Sequence, residues 1–148
     1  MRLLSLLMIS VTLMSCEKHR VAQVFEQYLW QKRVVLVFAP SEESSLLAEQ
    51  RQMFDTYQEG LKERDVVRWV VVKDETVIVD KRHQPHMPSS RFYRHFNVDN
   101  KTFTVIVLGK DGTEKLRQQQ KVIPSDQLFA LIDSMPMRKK EIEERKRS

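Results

Sequence analysis

Glycine, proline and cysteine are all scarce in this chain, at 3, 5 and 1 of 148 residues. So few glycines and prolines exclude collagen-like repeats, long flexible linkers and glycine-rich architectures. A single cysteine excludes an internal disulfide, a multi-cysteine zinc site and a Cys-x-x-Cys redox pair. No apolar run reaches the roughly 20 residues that a membrane-spanning helix needs. There is no G-x-S-x-G elbow, no P-loop and no internal repeat. What is present is the composition of a globular domain: 41% hydrophobic, 30% charged, net charge +5. The length suits one domain.

Met1 to Ser15 read as a processing signal. Arg2 precedes a short, largely apolar run from Leu3 to Met14, the size of a signal-peptide core. The lone cysteine follows in Leu13-Met14-Ser15-Cys16. This resembles the lipobox of bacterial lipoproteins, with an aliphatic residue three before the cysteine and a small residue just before it. Met14 is a less usual filler. The resemblance implies that Cys16 takes a diacylglyceryl group, becomes the mature N-terminus and is acylated, for example with palmitate. Two or three acyl chains anchor a protein stably where one holds it marginally. Glu17 follows where an Asp would signal inner-membrane retention. By resemblance to the sorting rule of Gram-negative lipoproteins, the expected address is the periplasmic face of the outer membrane. The alternative is an ordinary secretory signal with a stray cysteine. The expected layout is a signal over 1–15, a tether over 16–20, a folded domain over 21–137 and a basic extension over 138–148.

In the mature chain, Val21, Val24, Phe25, Tyr28 and Leu29 recur at helical spacing. Val34 to Ala39 is a continuous apolar run ended by Pro40, as expected of a strand buried on both faces. Ser41 to Ser45 is a polar loop with hydroxyls ready to cap a helix that runs to about Gly60. Val66 to Val72 and Phe103 to Leu108 are two more apolar strands, with a short β-branched run over Thr76 to Val79. Asp80 to Pro88 is polar, contains Pro85 and Pro88, and reads as a loop. Ser89 or Ser90 is expected to cap a short helix carrying Phe92 and Phe96. Gly109 to Gly112 is a hairpin turn containing Asp-Gly, with its partner strand from Glu114. Pro124 is expected at the first position of a last helix, with Leu128, Leu131, Ile132 and Met135 as its buried stripe. Residues 138–148 have no apolar stripe and read as a solvated or frayed end. Strands alternating with helices, then a hairpin, argue an α/β fold with a parallel pair and an antiparallel addition.

Read together, these segments resemble a thioredoxin-like domain: a three-layer α/β sandwich with a mixed sheet, a C-terminal β-hairpin and a last helix. A closer resemblance is to a peroxiredoxin-like family of unknown function, found in small bacterial exported proteins and in animal extracellular proteins of the sushi-repeat and Equarin type. It rests on Arg33 to Pro40, Ala48 to Arg51, Glu63 to Asp65, Phe103 to Gly112 and Ile132 to Arg138. It spans roughly residues 28–140 and brings no established activity. Peroxiredoxins carry a Pro, a Thr or Ser four residues later, and a reactive Cys three further on. Pro40 and Ser44 fit that pattern, but Leu47 stands at the cysteine position. Lys101-Thr102-Phe103 lacks the cis-proline that thioredoxins place before the third strand. Thiolate chemistry needs sulfur, so the redox activity is not carried over.

The remaining candidates are few. Ser41, Glu42, Glu43 and Ser44 form a possible binding corner, although they equally serve to cap the following helix and complement its dipole. His83 and His86, near Asp80, are weak metal candidates. Residues 138–148 hold six basic and three acidic side chains, which suits contact with anionic lipid or simple solvation. No cofactor and no nucleic-acid partner is expected. The expected function is a lipid-anchored envelope module that binds an unknown envelope protein or ligand without catalysis. The alternatives are an enzyme of peroxidase or disulfide-reductase ancestry, or a histidine-based metal-binding protein.

Overall fold

The computed structural model describes residues 20–148. The expected signal and lipobox, with Cys16, and the Glu17 that follows lie outside the described residues. Helix α1 covers residues 20–26 and gives way to turns through 31. Strand β1 (Arg33–Ala39) leads into α2 (Ser45–Thr56), α3 (Gln58–Glu63) and β2 (Val66–Val72). Then come β3 (Thr76–Val79), β4 (Arg82–Pro88) and α4 (Ser89–His95). Strands β5 (Thr104–Leu108) and β6 (Glu114–Gln119) form the hairpin, followed by α5 (Ser125–Ser134) and α6 (Pro136–Arg147).

The six strands are ordered β4-β3-β2-β1-β5-β6. β1 pairs in parallel with β2, from Arg33 opposite Val66 to Ala39 opposite Val72. Its other neighbour, β5, is antiparallel, with Leu36 opposite Ile106. Being central explains why β1 does not alternate with polar residues: each side chain from Arg33 to Ala39 is buried. Side chains alternate across a strand. Val35, Val37 and Ala39 therefore join Leu47, Phe54, Leu61, Leu128 and Ile132 on the face covered by α2, α3 and α5. Leu36 and Phe38 join Trp69, Phe92 and Tyr93 on the face covered by α1 and α4. The mixed sheet, the hairpin and the two helical layers are those of a thioredoxin-like α/β sandwich.

Five local expectations need correction. The stretch expected as a loop from Asp80 to Pro88 contains β4, because an edge strand leaves one side unpaired and tolerates Pro85 and Pro88. The helix expected to end near Gly60 breaks at Tyr57 instead, and Gly60 lies inside α3. There a Cβ would stand 2.7 Å from Cζ of Phe129, so the missing side chain lets α3 approach α5 closely. Neither Ser89 nor Ser90 caps α4; Pro88 holds that position with no side-chain hydrogen bond, and the Ser89 N–H donates to the Glu75 carbonyl. Pro124 precedes α5 rather than opening it, and α5 is not the last helix. Residues expected as a frayed end form α6, opened by Pro136 and carrying Arg138 at 1% exposure.

Candidate functional site

In thioredoxin-like folds the reactive corner lies where the first central strand hands over to its helix. Here β1 ends at Ala39, Pro40 turns the chain, and Ser44 caps α2 by accepting the Leu47 N–H at 3.4 Å. Leu47 is fully buried among the core residues of that face. Glu42 turns outward to a bidentate pair with Arg51, at 2.6 and 3.0 Å. That hydrogen bond holds the Glu42 carboxyl below its usual range. Glu43 is exposed. The four corner residues thus lie together, with Ser44 spent on the helix and Glu42 on Arg51.

Beside the corner, Tyr93 of α4 reaches under the ends of the parallel pair. Its hydroxyl donates to the Ala39 carbonyl at 2.8 Å and lies 3.2 Å from that of Val71. Burial pushes the phenol well above its ordinary range. It is a tie between α4 and the sheet and not a proton donor near neutral pH. Sequence reasoning picked out Phe92 and Phe96 on this helix and missed Tyr93, whose signal was a polar tip on an apolar face.

His83 and His86 lie on β4, both exposed. His83 lines an open cleft of about 320 Å³ between α2 and the outer strands, floored by Phe54, Val70 and Ile78. The cations at its rim are each paired: Arg51 with Glu42, Arg68 with Asp80 and Lys81 with Asp55. His86 does not line it. Among the described residues, no three His, Cys, Asp or Glu side chains come together as metal ligands.

The densest polar cluster lies at the opposite end of the sheet. Arg33, which opens β1, donates to Glu141 of α6 at 3.1 and 3.3 Å and to the Arg64 carbonyl at 2.9 Å. Lys110 of the hairpin turn bridges Glu141 at 2.7 Å and Asp65 at 2.9 Å. Arg138 grips Glu63 at 2.6 Å and Asp133 at 3.1 Å, and Arg64 holds the same Asp133 at 2.7 Å. Burial works to raise Asp65, Asp133 and Glu141, but hydrogen bonds from these cations outweigh it and hold all three carboxyls low. Each charged residue of the cluster has an ionic partner, so this network binds α6 to the sheet.

Residues 24–141 match the family described as Domain of unknown function (DUF4174). The chain belongs to this family. Among solved structures, the DUF4174 chain is similar to a reduced 2-Cys peroxiredoxin of Plasmodium vivax, at 15% identity and TM-score 0.56, covering 78% of this chain and 83% of that one. It is also similar to thioredoxin peroxidase I of Plasmodium yoelii, at 14% identity and TM-score 0.55, covering 78% and 79%. At such identities the likeness is one of fold. No curated protein matches the chain.

The blocks that carried the family resemblance in the sequence now have a physical meaning. Arg33, Glu63, Arg64, Asp65, Lys110, Asp133 and Arg138 all fall within them, and all belong to the ionic cluster. Gln50, from another block, is buried and exchanges two hydrogen bonds with the backbone of Ile123, at 3.1 and 2.8 Å. In this DUF4174 chain, the most recognisable polar residues are those that hold the fold together. The sequence signal was there, as charged residues set inside apolar blocks.

Proposed function

We propose that this DUF4174 protein is an exported, lipid-anchored module of the bacterial cell envelope that acts by binding rather than by thiol chemistry. The observation that carries the second half is Leu47. At the position where peroxiredoxins keep their cysteine, this chain has a fully buried aliphatic side chain, and Ser44 beside it is engaged as a helix cap. After Cys16 the sequence contains no cysteine, so a Cys16 whose sulfur carries the diacylglyceryl group would leave no thiolate for peroxide or disulfide chemistry. The anchoring half rests on Leu13 to Cys16 and on the short apolar run before them. Glu17 favours the outer membrane.

Three measurements test the reading. A labelled fatty acid is expected to enter the protein in cells and to be absent from Cys16→Ser; label retained in the serine variant sinks the anchor. The purified domain from Glu17 onward is expected to turn over neither hydrogen peroxide nor insulin disulfides above a heat-killed control; turnover restores the redox reading. Crosslinking in intact cells is expected to join the protein to a defined envelope partner.

A further inference from the structure

We infer that a second cleft, at the ionic-cluster end of the sheet, is a binding site for a small carboxylic acid with an apolar body. The inference rests on the reading of the domain as a binding module and gives that module a ligand class. The cleft encloses about 460 Å³, within the range of roughly 300–1,000 Å³ common for small-ligand sites. It lies near the start of β1, about 20 Å along the strand from the corner where related folds hold their thiol.

Three independent features converge there. The first is Trp30, which is 66% exposed and has a φ of 64°. A bulky residue in the left-handed region is a genuine outlier, and such strain persists only where the surroundings hold it. Here the Trp30 backbone N–H donates to the Lys110 carbonyl at 2.6 Å and holds the main chain in place where Trp30 lines the cleft. The second feature is the apolar lining supplied by Leu131, Met135 and Met137 of the α5–α6 junction. Methionines adapt to irregular apolar ligands, and an exposed indole supplies a flat stacking surface.

The third feature is charge. Arg33, Lys110 and Lys115 line the cleft against the single carboxylate of Asp111. Arg33 is almost fully buried, yet among the described residues its Nε has no acceptor, although both terminal nitrogens are engaged. Among the described residues, Lys115 pairs only with Asp111, at 2.8 Å, and both are about one-third exposed. Such a pair contributes little and exchanges readily. An incoming carboxylate takes Lys115 without opening the buried ion pairs, and its apolar body lies between Trp30 and Met137. A cationic ligand would find Asp111, the one carboxylate of the lining, already held by Lys115.

The chain carries its own reporter. It has two tryptophans, and Trp69 is 1% exposed, so acrylamide quenches Trp30 selectively. In the mature protein, 3-phenylpropionate is expected to protect Trp30 saturably and shift its emission to the blue. The neutral isostere 3-phenylpropan-1-ol is expected to bind at least about tenfold more weakly, the loss typical of a charge-assisted contact. 3-Phenylpropylammonium is expected not to bind. Lys115→Met should weaken the acid by about tenfold and leave the alcohol unchanged, while Met137→Glu should abolish both. Far-UV circular dichroism and urea melts establish that these two surface-side variants stay folded. Absence of protection at millimolar acid, equal affinity for acid and alcohol, or full binding by Met137→Glu overturns the inference. If the cleft fails while intact-cell crosslinking still captures a partner, the binding-module reading stands alone. Thiol turnover would instead remove that reading with the cleft untouched.

Discussion

A leucine at position 47 occupies the volume that a reactive thiolate would need to keep wet. Full burial raises a thiol's pKa and makes it inert. Leu47→Cys is therefore expected to fold, to react with Ellman's reagent only after denaturation, and to show no peroxidase turnover. Rapid labelling of the native variant would mean that the corner opens more than its packing implies. Tyr93 makes the complementary case. Its hydroxyl satisfies carbonyls at the ends of both parallel strands, so Tyr93→Phe leaves buried acceptors short of a donor. The expected cost is about 1–3 kcal/mol in a urea melt. The exposed Glu42–Arg51 pair is bidentate but solvated, and Glu42→Ala should cost less than about 1 kcal/mol. If it is neutral for stability and yet lowers partner capture, the corner takes part in binding.

The element that most depends on its charges is α6. Its hydropathy carries no apolar stripe, and its one buried residue is Arg138. Glu141 holds Arg33, Lys110 and Arg138 together. Glu141→Gln strands a buried guanidinium and is expected to cost roughly 3–5 kcal/mol, the range for breaking one side of a buried pair. The pH dependence has a definite sign. Asp65, Asp133 and Glu141 are depressed in the folded state, so their stabilisation is complete above the unfolded carboxyl values of about 3.9–4.3 and is lost as pH falls through the lower folded values. Urea stability should fall towards about pH 3, and Glu141→Gln should flatten that fall. An equal slope in wild type and variant would show that Glu141 is not a source of the acid sensitivity. α6 was illegible in the sequence because helix docking was sought as an apolar stripe, whereas this helix docks through ion pairs. β4 was illegible for a related reason: an edge strand of RHQPHMP has neither a period-2 apolar pattern nor a requirement to avoid proline.

At the scale of the whole molecule, the apolar strands carried the fold. Val34 to Ala39, Val66 to Val72 and Phe103 to Leu108 were readable as central strands because burial on both faces leaves runs that do not alternate. Alternation along β1 sends Val35 and Val37 to one core cluster and Leu36 and Phe38 to the other. Phe38→Ala empties a site in the second cluster, where the ring meets Tyr93 at 5.0 Å and Phe96 at 5.9 Å. The expected loss is roughly 3–5 kcal/mol, a large share of the roughly 5–15 kcal/mol that holds a domain folded. A melt like that of wild type would contradict the central place of β1. The corner was legible as a place and not as a role. Its serines and glutamates fit a cap and a binding surface equally well, and only the partners of Ser44 and Glu42 separate those uses.

The salt link between Arg33 and Glu141 also sets a schedule. The two residues are separated by 108 positions, and contacts so distant in sequence close late because the intervening chain must be ordered first. In a chain delivered from its N-terminal side, β1 exists long before the carboxylate that neutralises its first guanidinium. Until α6 arrives, Arg33 favours water and the strand has reason to stay unburied at that end. The chain thus withholds a counterion of its central strand until nearly the whole domain is present.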